Sequence, residues 1–539
     1  MQNNYNVNLQ NNNTELQSIL DTINELPNAT IGGTIELPAL VNEGTAQDLL
    51  AGKQLIDSNG NIVEGTIESV AQAAPYITID SSGLLTATAV QEAGYVSAGT
   101  KTATYQLTSQ ANTALEDGLI IRNSASYVND RVSAIGIYAF YGHSKLTTVR
   151  FTGVKTIGAS AFQSCSNLTT TSFPEATTIG AGAFQSCSNL TTISFPEVTT
   201  ISKAAFSDCS KLTTISFPKA TTIGDYAFSL CTSLKTVSFP EAITIRSNAF
   251  VNCFNLQTVS FPKVTTIGSR AFCNCESLTT ASFPEVTTIN SETFYSCSRL
   301  TTVSFPKVIA INNGAFYGCN SLTTVSFPEV TTINSSAFQS CTKLATVSFP
   351  KATIIGSNAF RYCESLTTAS FSEVTTIGST AFECCFSLTT VSFPKATTID
   401  GSAFRCCKSL TTASFPEVAA IKVSVFYGCS NLTTISFPKV TTIATYAFDT
   451  CHSLTTASFP EVTTIQGSAF TNCHNLKSLY ITNSVVCELG HSKAFASTPI
   501  GGYSTLAGTY GSIFVPASLL ASYQTATNWT YFSSRFVGI

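Results

Sequence analysis

From about Ile135 to Tyr480 the chain repeats itself every 22 residues, with no insertion or deletion. A unit such as that running from Leu190 through Phe195 and Ile201 to Phe206 and Cys209 recurs with small changes. The phenylalanine of an Ala-Phe pair can be followed from Phe140 to Phe470, giving sixteen copies. A fixed period of this length describes a solenoid, in which each unit buries its apolar side chains only by stacking on its neighbours. Invariant positions therefore build the core, and function is to be sought in what varies between copies and in what flanks them.

The order of residues within a copy describes one coil. Leu-x-x-(Ile/Val/Ala)-x-Phe places alternate apolar residues inward from a short strand. The proline that follows cannot donate a ladder hydrogen bond and ends that strand. Val-Thr-Thr-Ile is a second extended run, and Ala-Phe-x-x-Cys closes the coil as a helical or 3₁₀ turn. At about 4.8 Å per coil, sixteen coils predict a rod of roughly 75 Å. The fold class is mainly β: a leucine-rich-repeat solenoid of about sixteen 22-residue coils, a small N-terminal helix and β modules, and a C-terminal α/β cap.

The unit resembles the BspA-like leucine-rich family, whose copies read I-x-x-x-A-F-x-x-C-x-x-L-x-x-V-x-F-P. The likeness spans about 340 residues. It implies binding to host or cell-surface molecules and no catalysis. The family occurs on bacterial surfaces, in parasites and in phage tail proteins.

Composition narrows the choice. Charged residues are 11% of the chain and the net charge is −4, so there is no basic footprint for nucleic acid. No stretch reaches the apolar length of a membrane span. The first residues lack the basic start and apolar core of a secretory leader. No nucleophile elbow, phosphate-cradling loop or zinc-protease helix is present, and the reading is of a non-enzyme without cofactor or metal.

Nineteen cysteines suggest a disulfide scaffold, yet fifteen of them, from Cys165 to Cys473, share one repeat position, with His143 in that place in an earlier coil. They are read as an inward ladder of free thiols. Cys273, Cys384, Cys406 and Cys487 fall off it. Cys384 and Cys406 are one repeat apart and could bridge or hold a soft metal, although chance occupancy of a variable slot is the plainer reading. His452 and His474 are also one repeat apart, without an evident third ligand.

The residue after the proline, or its equivalent, alternates in charge from Glu197 and Lys219 to Lys439 and Glu461. Stacked coils place each charge beside its opposite. A slip by one repeat would juxtapose like charges, so the alternation holds register more than it stabilises.

The Thr-Thr-x-Ser strand is nearly uniform, and variation concentrates around the Ala-Phe turn. Candidate receptor-binding residues there are Tyr141, Tyr226, Arg270, Tyr295, Tyr317, Arg361, Tyr362, Arg405, Tyr427 and Tyr446. Tyrosine and arginine are enriched in binding hot spots; free drift of an exposed loop is the bland alternative. Rows of strand hydroxyls are a rival site.

Six segments are expected: residues 1–30 a helical oligomerisation segment, 31–75 a small β-rich tail-attachment-like module, 76–112 a β-rich module, 113–134 an N-terminal cap, 135–480 the solenoid and 481–539 a C-terminal cap. Leu9, Asn12, Leu16, Ile19, Ile23 and Leu26 form a short heptad seam, read as self-association, with a trimer favoured. Ser58 to Asn61 is a hairpin signal between Leu55-Ile56 and Ile62-Val63. The stretch from Gly44 to Ile67, and that from Tyr76 to Leu107, resemble segments of phage tail and minor structural proteins. Trp529, with Leu519, Leu520 and Tyr523 nearby, resembles a BspA-like closing module. The reading is a phage tail fibre or receptor-binding protein, carried in the virion tail and assembled in the host cytoplasm. It would bind a host glycan or protein through the solenoid and other tail proteins through its N-terminal region. A bacterial surface adhesin and a structural spacer are the alternatives.

Overall fold

The computed structural model describes the backbone of Leu55–Ile56, Ile62–Val63, Tyr105–Leu107 and Ser126–Asn129, and residues 132–502 and 510–539. The heptad seam from Leu9 to Leu26 lies outside the described residues. Leu55–Ile56 and Ile62–Val63 pair antiparallel across the hairpin signal. The chain divides into two compact units, residues 1–253 and 254–539.

In the first unit, most coils contribute two short strands that pair in parallel with equivalents one coil on, while Thr192 makes only a single bridge to Thr170. Thr214–Ser216 lies beside Thr236–Ser238 in direct register. On the other side Thr200–Ile201 lies between Thr178–Ile179 and Thr222–Ile223. Alternation does the sorting: in Thr214–Ser216 the central Ile215 is buried and its two neighbours are exposed. The ladder runs past the recognisable copies, because Tyr105–Leu107 pairs in parallel with Val132–Ile135 and Ser126–Asn129 with Thr148–Phe151.

The second unit repeats this plan, with Ala310–Ile311, Thr332–Ile333 and Ile354–Ile355 stacked in one sheet. Beyond the last copy, Ser478–Tyr480 pairs with Ser512–Val515, which pairs with Phe536–Gly538. Helix Leu520–Thr525 and Trp529 close this end. Trp529 is fully buried and its indole N–H donates to the carbonyl of Cys487 at 2.6 Å. Such a lid shields the apolar side chains that a terminal coil would expose.

Inside each unit the phenylalanines form two columns of parallel rings. Phe206 and Phe228 stack at 5.4 Å and 2°, Phe382 and Phe404 at 5.3 Å and 2°. The thiol column lies beside them, all fifteen members buried. Each ladder thiol from Cys297 to Cys473 donates to the phenylalanine carbonyl 25 residues earlier, as Cys363 does to Phe338 at 3.2 Å.

The third side of the coil is a ladder of a different kind. Around Phe228, the N–H groups of Tyr226, Phe228 and Leu230 donate to Ser247, Ala249 and Val251 of the next coil at 3.1, 2.8 and 2.9 Å. The intervening Ala227, Ser229 and Cys231 donate three residues back within their own coil, to Gly224, Tyr226 and Phe228. The expected 3₁₀-type turn is thus a run of overlapping tight turns, interrupted by left-handed residues such as Tyr226 (φ 57°) and Leu230 (φ 60°). Alternate N–H groups of this turn thus serve the coil and the stack, which pairs donors that would otherwise be buried without a partner.

Candidate functional site: the turn edge

The variable residues stand on this third side in three rows. Those directly after the phenylalanine point outward between the two left-handed positions, and the others occupy those positions themselves.

In the first unit, Tyr141 is exposed and meets Tyr138 edge-on at 5.6 Å. Tyr226 is exposed at its left-handed position. These two are separated by several coils and form no cluster with each other.

The second unit holds the other eight candidates. Tyr295 and Tyr317, one coil apart, stack at 4.7 Å and 7°. Their facing surfaces are consumed by one another, leaving ring edges and hydroxyls for a partner. Burial and the neighbouring Tyr317 push the Tyr295 hydroxyl above its ordinary pKa. Further along the row, Arg361 Nε lies 2.6 Å from Glu383 Oε2 and Arg405 Nη1 donates to Glu383 Oε1 at 3.2 Å. Glu383 is almost fully buried between them. The Arg361 guanidinium also covers the Tyr362 ring at 4.7 Å and donates to its hydroxyl at 3.2 Å. Arg405 covers Tyr427 at 5.2 Å. Five residues in four successive coils are thereby held in one arrangement. Arg270 and Tyr446, both left-handed and exposed, lie apart from it, and Arg270 Nε pairs with Glu292 at 3.2 Å.

Sequence reasoning missed Glu383, which organises the cluster. Its signal was present: an Arg-Glu-Arg alternation at the same 22-residue spacing that revealed the Glu/Lys ladder. That ladder resolves into discrete pairs: Lys219, Lys307, Lys351, Lys395 and Lys439 each reach the glutamate one coil earlier, as Lys307 does to Glu285 at 2.6 Å and Lys395 to Glu373 at 2.7 Å. Such exposed pairs contribute about 0–1 kcal/mol each.

The rival hydroxyl rows have a structural employment. Thr301 Oγ1 donates to the Thr279 carbonyl at 3.1 Å, and Thr353 Oγ1 to Thr331 at 3.1 Å on the other strand. This back-bonding recurs along both threonine rows and commits their donors to the preceding coil. It explains why threonine is so uniform there.

Among the described residues no group of three or more His, Cys, Asp or Glu side chains could hold a metal ion. His452 and His474 approach to 4.7 Å between ring centroids, and His452 Nδ1 lies 2.9 Å from the Asn472 carbonyl. Among the described residues no helix is long and apolar enough to cross a membrane.

The family described as BspA type leucine rich repeat region matches residues 123–220, 199–319, 287–411 and 397–502, well over half of the chain. No curated protein matches it by sequence. Among solved structures, it is similar to a leucine-rich repeat protein from Bacteroides ovatus, with 23% identity over 73% of this chain and 88% of that one and a TM-score of 0.48. A leucine rich cell surface protein from Faecalibacterium prausnitzii is 25% identical over 59% of this chain and 88% of its own, with a TM-score of 0.36.

Proposed function

The chain belongs to the BspA-type leucine-rich-repeat family, and from that premise we propose that it recognises a cell surface and catalyses no reaction. The observation that carries this reading is the edge cluster of Arg361, Tyr362, Glu383, Arg405 and Tyr427. Tyrosines and arginines already fixed by ion pairs and ring contacts lose little conformational freedom on binding, which favours affinity. The partner is a surface glycan or protein that accepts hydrogen bonds from guanidinium and phenol groups.

The finer reading is a phage tail fibre or receptor-binding protein. It rests on the resemblance of the stretches 44–67 and 76–107 to tail proteins. Residues 1–30 would then trimerise and the N-terminal region would join other tail components. A bacterial surface adhesin is the second reading, favoured by membership of the repeat family.

The test uses labelled full-length protein and candidate host bacteria. The aromatic variant Tyr295→Ala/Tyr317→Ala/Tyr427→Ala and the polar variant Arg361→Gln/Glu383→Gln/Arg405→Gln leave no charge of the cluster unpaired. Both should lose cell binding by tenfold or more, while Thr301→Ala/Thr323→Ala should retain it. Normal binding by both edge variants would reject the site. Immunogold labelling of virions and cells separates the two settings: label on tails supports the phage reading, and label on the producing bacterium's surface the adhesin.

A further inference from the structure

Of the nineteen cysteines, seventeen are buried and only Cys384 and Cys406 are partly open to solvent. These two are not scattered. Both occupy the second left-handed position of their coils, with φ 60° and 60°. Their N–H groups donate in the same sense to the next coil, Cys384 to Arg405 at 2.8 Å and Cys406 to Tyr427 at 2.7 Å. The two side chains therefore leave the backbone in parallel, one coil apart. One coil further on the same position is Gly428, so no side chain covers Cys406 from that direction; a β-carbon built there would stand 3.4 Å from the Cys406 sulfur. Coil spacing of about 4.8 Å lies within the Cα separation that a disulfide spans.

The ladder thiols share the spacing but differ in two respects. They are closed to reagents, and those from Cys297 to Cys473 are each engaged with a main-chain carbonyl. Sibling coils fill the Cys384 position with Ser296, Ser340 and Asn274, so packing does not require sulfur there.

We propose that Cys384 and Cys406 form a redox-active dithiol that closes to an inter-coil disulfide with a small-molecule disulfide as oxidant. One thiol, as thiolate, attacks the reagent disulfide, giving a mixed disulfide and releasing one reagent thiol. The second protein thiol loses its proton and attacks the protein sulfur of that mixed disulfide, releasing the second reagent thiol. Two protein S–H groups become one S–S bond, and one reagent disulfide is reduced to two thiols. The Cys384 thiol is pushed up to about 11, first by burial and then by Cys406 and Glu383, so closure is slow at neutral pH and faster in mild alkali. The strap would tie together the two coils that carry Glu383 and Arg405. The inference does not depend on the recognition function.

The experiment treats the reduced native full chain with oxidised glutathione, then alkylates and maps peptides by mass. Before oxidation, a thiol reagent should label two of the nineteen cysteines, Cys384 and Cys406. After it, both should be protected, the intact mass should fall by two hydrogens with no glutathione attached, and dithiothreitol should restore labelling. Cys384→Ser and Cys406→Ser should each instead hold one stable glutathione adduct, and serine already occupies this position in sibling coils, so folding is retained. Two stable adducts on the wild-type chain, or no reaction at sites that alkylate freely, would overturn the proposal. So would labelling of ladder cysteines in the native state.

Discussion

The thiol of Cys341 donates to the carbonyl oxygen of Phe316 at 3.1 Å, and the same oxygen accepts the N–H of Cys319 at 3.2 Å. One main-chain acceptor thus ties the turn of its own coil to the side chain of the next. This accounts for cysteine where alanine or valine would serve an ordinary core: the position needs a small apolar group with a weak donor. Cys341→Ala should destabilise the protein by about 1 kcal/mol, from the lost sulfur contacts and one hydrogen bond. Cys341→Ser keeps the donor and should cost less. Urea unfolding of both variants checks this; equal losses would mean that the bond contributes nothing.

Burial pushes the thiols of Cys165, Cys231 and Cys341 up to about 12. An unfolded thiol releases its proton near 8.5, so above that pH the unfolded state binds fewer protons than the folded one. Stability is then complete below about pH 8.5 and falls as pH rises toward 12, by up to about 1.4 kcal/mol per pH unit for each thiol. Three such groups give a loss of about 4 kcal/mol per unit. Far-UV circular dichroism should show steep, cooperative alkaline unfolding above pH 9. Cys165→Ala/Cys231→Ala/Cys341→Ala should flatten the slope of stability against pH while lowering stability at pH 7.

The 22-residue offset made strand register legible, because Thr214 had to meet Thr236 once the period was recognised. The inward cysteines followed from the same pattern, whereas the burial of Trp529 was expected from the likeness of its surroundings to a closing module and from the need to cover the last coil. The left-handed backbone was harder to see. Gly318, Asn274 and Ser296 signal it at one column, but Leu230, Tyr362, Cys384 and Cys406 occupy that column too. Inter-coil hydrogen bonds such as that from Leu230 to Val251 hold these residues in a conformation that their own propensities disfavour. Aligning all sixteen copies and reading that column for Gly, Asn and Ser would have exposed it. Glu383 was hidden because glutamate is not a residue type enriched in hot spots, and only the charge order Arg361, Glu383, Arg405 along its row marks it.

That conformational conflict is measurable. Leu230 is an exposed apolar residue with φ 60°, where a side chain with a β-carbon costs about 1 kcal/mol relative to glycine. Leu230→Gly should therefore leave stability unchanged or raise it by up to about 1 kcal/mol, in contrast to the usual loss when glycine replaces leucine. The reverse change, Gly318→Ala at φ 71°, meets no atom nearer than 3.5 Å, so its expected loss of about 1 kcal/mol is conformational alone. A thermal shift of opposite sign in either variant would show that the ladder tolerates the left-handed state without strain.

The Arg361–Glu383–Arg405 cluster provides a sharper discrimination. Glu383's side chain is only 6% exposed, whereas those of Arg361 and Arg405 are 31% and 46% exposed. Removing an arginine leaves a desolvated carboxylate with a single partner, while removing the carboxylate leaves two cations that water can still reach. The effects should be unequal for that reason. Arg361→Ala, at the 2.6 Å contact, should cost about 1–2 kcal/mol, and Arg405→Ala less than about 1, as for an exposed pair. In a Glu383→Gln background both losses should shrink, giving a coupling energy of about 1 kcal/mol between Arg361 and Glu383. Because Glu383 is shielded, that coupling should survive in 0.5 M salt, where the Lys307–Glu285 pair loses its small contribution. Additive losses in the double-mutant cycle would mean that the cluster is held by packing of the arginine stems on Tyr362 and Tyr427, and that its charges are free to turn toward a partner.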